Sequence, residues 1–300
     1  MIHEIFPEEY DPQYINKKAA EKDTVILNRG NRILAVALQD TVHLPSIGEL
    51  SEITGRALSG LIKDSWYLFS ISGQSFFTTK ADADGIEEIP DKEALAKISK
   101  EPGKHYFFMN INKFRELSPM VMVYAAATGM HMVLWKQSRK FCGCCGSRTK
   151  PSETERAMVC ENCGMIEYPR ISPAVIVAIT NGDRILLVRN KLGYYKKLAL
   201  VSGFVEIGES FEHAVIREVK EEVGLNIKNI RYYKNQPWGL SGAQMIGYTA
   251  ELDGDDTITM QESELSEAAW YERKDIPEYA HRLSVGNELI HAFKYGEFPF

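Results

Sequence analysis

Cysteine is scarce and confined: the chain has five in 300 residues, all between Cys142 and Cys163. Disulfides linking distant parts of the fold are therefore excluded. No apolar run approaches the roughly 20 residues a membrane helix needs. The first residues, Met1-Ile-His-Glu-Ile-Phe-Pro7, lack the basic and apolar stretches of an export leader. Both absences predict a cytoplasmic protein without a membrane partner. Nor is there a strong charge of either sign, since 35 Lys and Arg against 41 Asp and Glu leave a net −6. A general attraction to nucleic acid is excluded, and any RNA contact needs a local basic patch. There is no internal repeat and no low-complexity tract. What remains is an ordinary globular composition, 44% hydrophobic and 25% charged, at a length that favours two domains.

The cysteines themselves are patterned. Cys142-Gly-Cys144-Cys145 and Cys160-Glu-Asn-Cys163 are two C-x-x-C pairs, each followed directly by a glycine, Gly146 and Gly164. Two such knuckles supply four thiolates to one tetrahedral zinc, so Cys142, Cys145, Cys160 and Cys163 are read as structural ligands. Cys144 lies between two ligands and is read as a free thiol. Local basic residues, Arg139, Lys140, Arg148 and Lys150, leave open an RNA-contacting role for this ribbon beside its role as a structural staple.

Before the ribbon, apolar and β-branched runs at Thr24–Asn28, Arg32–Leu38, Trp66–Ile71 and Ser75–Thr79 predict strands, with a hairpin turn at Asn28-Arg-Gly-Asn31. Asp91–Ile98 predicts a short helix and Asn112–Gln137 a longer one. After it, Ala174–Ile179 and Arg184–Arg189 flank Asn181-Gly-Asp, a strong hairpin signal. Leu198–Val201 and segments near 227–234, 244–251 and 268–272 predict further strands, and a final helix is expected at about 282–295. These boundaries divide the chain into an N-terminal α/β domain (1–138), a zinc ribbon (139–168) and a C-terminal domain (169–300).

The densest information lies between Gly203 and Leu225. Glu218, Glu221 and Glu222 stand at i, i+3 and i+4, so a helix places their carboxylates on one face. Like charges at this spacing repel, and hard divalent cations resolve the conflict when they also hold substrate phosphates. Gly203 and Gly208 bracket a loop, and Arg217 returns positive charge to it, pairing with Glu209. Gly224 fits a left-handed helix C-cap. The string fills every specified position of the Nudix box, G-x5-E-x7-R-E-U-x-E-E-x-G-U, with U a bulky aliphatic residue, through Gly203, Glu209, Arg217, Glu218, Val219, Glu221, Glu222, Gly224 and Leu225. The chain thus resembles a Nudix hydrolase.

That resemblance implies an α/β/α sandwich and hydrolysis of a nucleoside diphosphate linked to another group, with Mg2+ or Mn2+ as cofactor. A ribbon directly before such a domain, Tyr168-Pro-Arg-Ile-Ser-Pro173 and Asn235-Gln-Pro-Trp238 resemble the NADH pyrophosphatase subfamily. Its members imply cleavage of NAD(H) to NMN(H) and AMP, removal of NAD caps from RNA, and a homodimer. By the same resemblance, the Ser202 carbonyl adds a ligand to Glu218 and Glu222, and Glu264 stands where the subfamily has a further metal-binding or base carboxylate; Glu221 is read as ligand or base, and all four glutamates as catalytic. Glu155 and Tyr168 match substrate-contacting positions of the subfamily, while Phe204 and Trp238 offer flat faces for a nicotinamide or adenine ring and Gln236 can read an amide or base edge. Past Trp238 the chain departs, reading Gly-Leu-Ser-Gly-Ala243 where the subfamily has P-F-P-x-S, which opens selectivity for nicotinamide. A broader ADP-ribose, nucleotide-sugar or dinucleotide pyrophosphatase, or a silent dinucleotide-binding regulator, are the competing readings.

Overall fold

The computed structural model describes residues 1–38, 41–81, 86–89, 103–114, 119–192, 195–278 and 283–298. They form two compact units, one of Ile2–Arg170 with Gly239–Ser241, the other of Met1, Ile171–Trp238 and Gly242–Phe300. Among the described residues no helix is long and apolar enough to cross a membrane.

The first unit contains β1 (Tyr10–Asp11), β2 (Thr24–Val25), β3 (Asn28–Arg29), β4 (Arg32–Leu38), β5 (Thr41–His43), α1 (Ile47–Thr54), α2 (Leu58–Asp64), β6 (Trp66–Ile71), β7 (Gln74–Thr78), β8 (Glu87–Ile89), β9 (Lys104–Asn110), α3 (Ile111–Phe114) and α4 (Met120–Ser138). One sheet runs β1-β6-β7-β2; a second runs β3-β4-β9-β8, with β5 on β4. Leu34, Ile47, Leu50, Leu61, Phe77 and Phe108 make its core. The ribbon follows as β10 (Thr149–Pro151), β11 (Met158–Cys160) and β12 (Ile166–Glu167). The helix expected over Asn112–Gln137 is divided into α3 and α4. Pro119 is the N-cap of α4, and a proline both lacks the N–H a helix interior needs and disfavours helix in the residue before it. The helix expected at Asp91–Ile98 lies outside the described residues.

The second unit is built on β13 (Ser172–Asn181), β14 (Arg184–Asn190), β15 (Val201–Phe204), α5 (Phe211–Val223), β16 (Ile227–Trp238), β17 (Ala243–Leu252), β18 (Leu265–Glu272) and α6 (Val285–Tyr295). Its mixed sheet has the order β16-β17-β13-β14-β18, with β15 also on β13. Strand alternation sorts the apolar residues onto two faces. Val175, Val177, Ile179, Leu186 and Val188 meet Val215, Val219 and Val223 of α5. Ala178, Ile185 and Leu187 instead meet Val285, Leu289, Ile290 and Phe293 of α6. This is the expected sandwich. Leu198 and Leu200 are buried on the α6 side, but β15 begins only at Val201, and Ala199 merely bridges Val188. Burial rather than pairing explains the apolar character of that segment.

The α5 C-cap is Gly224, at φ 74°, where a Cβ would lie 2.8 Å from the Thr259 Cβ. Gly224→Ala should lower stability by about 1–2 kcal/mol through the left-handed backbone alone, read as a depressed Tm with unchanged circular dichroism. An unchanged Tm would remove the cap from the forces holding α5.

Candidate active site

Helix α5 is capped by Ser210, whose Oγ accepts from the His213 N–H at 3.2 Å. Its buried stripe is set by Val215 and Val219. Seven residues after Val215, Glu222 returns to within about 20° of the same azimuth, so the helix carries a carboxylate into the apolar stripe. Glu222 is 5% exposed. Glu218 lies on the flank of the stripe and Glu221 turns outward, its side chain 54% exposed. Spacing alone therefore divides three similar acids among three environments.

Burial pushes the Glu222 carboxyl up to about 8, and the neighbouring charges of Glu218, Glu264 and Glu221 push the same way. Glu218 is also raised, chiefly by burial, against the pull of Arg217. The Oε2 of Glu222 is buried and finds no hydrogen-bond partner among the described residues. An ionised carboxylate left this way is costly. A surplus of buried negative charge with an unused oxygen fits a hard divalent cation, which takes carboxylate oxygens. Among the described residues only the four cysteines already converge as a metal cluster; on the helix, Arg217 bridges Glu218 and Glu221.

That arginine organises the loop. Its Nε and Nη2 donate to Glu209 Oε1 and Oε2, both at 2.9 Å, and Nη2 also reaches the Phe204 carbonyl at 3.0 Å. Nη1 bonds Glu218 Oε1 at 2.8 Å and Glu221 Oε2 at 3.0 Å. The guanidinium holds the Glu209 carboxyl down to about 2. Gly203, paired with Val175 on β13, leaves room for Glu218, because a Cβ there would lie 2.0 Å from its carboxylate carbon. Ser202 is the adjacent residue of β15, opposite Ile176. Glu264 belongs to a turn fixed by the Lys191 N–H on its carbonyl at 2.7 Å and by its own N–H to Gln261 at 3.1 Å. The Gln261 N–H in turn bonds the Glu222 carbonyl at 2.9 Å. Lys191 and Gln261 thus hold Glu264 near the helix; no motif marked either residue.

Register places the aromatic candidates. Gln236 pairs with Met245, Met245 with Ala174, and Ala174 with Phe204, while Trp238 pairs with Ala243. Directly paired residues share a sheet face, so Phe204 and Trp238 emerge on one face, opposite to Gly203 and Glu218. Phe204 is 56% exposed. Gln236 corrects the expectation of a substrate reader. It is 0% exposed, its Nε2 donates to the Leu283 carbonyl at 2.8 Å, and its Oε1 accepts from the Val285 N–H at 2.9 Å. No edge of it is presented to a ligand. Glu155 and Tyr168 lie in the other unit, where the exposed Tyr168 hydroxyl hydrogen-bonds the Glu155 carboxylate and its pKa is raised.

The ribbon's two knuckles repeat one geometry. Gly146 N–H bonds the Cys142 carbonyl and Gly164 N–H the Cys160 carbonyl, both at 2.9 Å. The sulfurs of Cys142 and Cys163 lie 3.6 Å apart and those of Cys145 and Cys160 3.5 Å, and all four fall within 4.8 Å of one another. Tetrahedral zinc with bonds of about 2.3 Å separates its sulfurs by about 3.8 Å, so the set fits zinc. Cys144 stays outside it, exposed, and offers only its backbone N–H to the Cys142 sulfur at 3.4 Å. Of the basic residues here, Arg139 pairs with Glu167 and Lys150 with Glu161, which leaves less free positive charge than the sequence suggested.

Comparison with known proteins agrees with this geometry. Residues 170–290 match the NUDIX domain and residues 137–168 the NADH pyrophosphatase zinc ribbon domain. Residues 137–290 are therefore similar to a zinc ribbon followed by a Nudix domain. It is 40% identical over 168 residues to the NAD-capped RNA hydrolase NudC of Haemophilus influenzae (strain PittGG), covering 55% of this chain and 63% of that one. It is 45% identical over 168 residues to the protein of that name from Salmonella schwarzengrund (strain CVM19633), covering 55% and 64%. The matches span just under two thirds of these relatives' length.

Two outcomes follow for this chain. Cys160→Ser should lose bound zinc and Cys144→Ser retain it, measured by metal content; loss in both would shift the ligand register onto Cys144. The raised carboxyl of Glu222 means that the folded metal-free chain holds a proton between pH 4.5 and about 8 that the unfolded chain releases. Its contribution to stability is therefore present at low pH and declines as pH rises through that window. Glu222→Gln should stabilise the metal-free protein by about 1–3 kcal/mol at pH 8.5 and by almost nothing at pH 5; equal Tm values at pH 8.5 would contradict the burial cost.

Proposed function

We propose that this chain hydrolyses the pyrophosphate bond of NAD(H) to give NMN(H) and AMP, and cleaves the same bond at the NAD-capped 5′ end of RNA. The observation that carries the reading is the buried Glu222 oxygen without a partner among the described residues, in an intact Nudix box that follows a match to the NADH pyrophosphatase ribbon and with the charges of Glu218 and Glu264 beside it. Glu218, Glu222, Glu264 and the Ser202 carbonyl would hold Mg2+ or Mn2+. Such ions, when bound, neutralise the diphosphate and acidify the attacking water. Arg217 keeps Glu209 ionised and holds the loop after β15 against α5. Glu221, the exposed member of the trio, is the candidate proton acceptor. Phe204 and Trp238 offer faces for a nicotinamide or adenine ring, a stacking contact of roughly 1–3 kcal/mol per base. Zinc in the ribbon is structural in this reading. A cytoplasmic homodimer completes the proposal, on the subfamily resemblance.

A second reading is favoured by one feature, the loop Gly239–Ala243 that replaces the subfamily's P-F-P-x-S. Without those prolines the chain beyond Trp238 is less constrained, which suits a broader dinucleotide and ADP-ribose specificity. AMP release from NADH, ADP-ribose, a diadenosine polyphosphate and NAD-capped RNA separates the two. NADH and the capped RNA should be turned over fastest, in a Mg2+- or Mn2+-dependent way, and Glu222→Gln should lower the rate at least about a hundredfold. Dinucleotide binding without turnover by the wild type would instead make the protein a regulator.

A further inference from the structure

Strand β16 does not run regularly. Tyr232 pairs with Tyr248 and Lys234 with Gly247, so a bulge lies at Tyr233. A one-residue slip moves every later side chain to the opposite face. Before the bulge, Tyr232 meets Tyr248 edge to face, and Tyr248 belongs to the α5-side core. After it, Gln236 and Trp238 emerge on the α6 side. The bulge is tied to α6 itself, because the Tyr233 hydroxyl and the Lys234 ammonium both reach Glu288 Oε1, at 2.7 and 2.5 Å. Two residues farther on, Gln236 binds the two residues flanking the α6 N-cap through the Leu283 carbonyl and the Val285 N–H. Helix α6 has little freedom to follow a shifted strand: a Cβ on Gly247 would lie 2.7 Å from Val285 Cγ2, and one on Gly286 2.7 Å from Ile176 Cδ1.

We infer that Gln236 is a positioning residue which, with Glu288, clamps the bulged strand to α6 and so fixes the face and depth at which Trp238 is presented. The inference rests on the dinucleotide reading for its kinetic consequence, but its structural part stands without it. Gln236 meets no substrate; its amide is engaged by the start of α6, and on β16 the ring contact falls to Trp238. Loss of the clamp then weakens ring binding equally in ground and transition states, which raises KM and spares kcat.

The test is a double-mutant cycle between Gln236→Leu and Trp238→Ala with NADH and Mg2+. Gln236→Leu should raise KM about tenfold with kcat nearly unchanged, and add little in the Trp238→Ala background. Glu288→Gln should act in the same direction. Independently of turnover, 5-fluorotryptophan labelling gives fluorine resonances for Trp66, Trp135, Trp238 and Trp270, assigned by single Phe replacements. Gln236→Leu should move the Trp238 signal and leave the others in place. Additive losses in the cycle would make Gln236 a direct contact and overturn the inference; so would a fall in kcat at constant KM, or an unmoved Trp238 resonance. If the wild type turns over no dinucleotide, the functional reading fails and the fluorine spectrum alone decides the clamp.

Discussion

Repulsion among acids on one turn of α5 is the constraint around which the second unit is arranged. Helix formation forces Glu218, Glu221 and Glu222 together, and the turn containing Glu264 adds a fourth charge that raises both Glu218 and Glu222. Burial sharpens the conflict for Glu222, which lies inside the apolar stripe rather than beside it. One guanidinium offsets part of it, since Arg217 spreads its donors over Glu209, Glu218 and Glu221. A single positive charge cannot balance the group, and its reach stops short of the buried Glu222 oxygen. The remaining imbalance is the physical basis for the proposed cation site.

The rest of the unit delivers that imbalance to a defined place. Val215, Val219 and Val223 anchor α5 on the sheet, Gly203 lets β15 approach Glu218 to backbone distance, and Gln261 ties the end of the helix to the Glu264 turn. On the opposite sheet face, Glu288 and Gln236 tie β16 to the start of α6, so Trp238 and the acidic cluster are set by different helices. Charge and ring recognition can therefore change separately, which is consistent with a chain that keeps every specified Nudix-box position while its loop after Trp238 diverges.

Much of this was legible in the residues. The i, i+3, i+4 glutamates, the Gly224 cap and the Glu209–Arg217 pair are local features, fixed by helix geometry, and each stands where the sequence placed it. The zinc set was readable because knuckle spacing is also local. Gln236 was misread because its partners, Leu283 and Val285, lie 47 and 49 residues away, and because the bulge at Tyr233 reverses the alternation that would have placed it. The grading among Glu218, Glu221 and Glu222 was hidden for a similar reason: it depends on where the stripe meets the sheet. The division of the helix expected at Asn112–Gln137 had a signal, Pro119, that marks a helix start better than a helix interior.

The most direct measurement of the central claim is the anomalous difference density of a crystal soaked in Mn2+. The account predicts a peak bridging Glu218 and Glu222, within bonding reach of the Glu222 oxygen that otherwise lacks a partner. A map with no peak there, and with Arg217 still bound to Glu218 and Glu221 at high Mn2+, would contradict it.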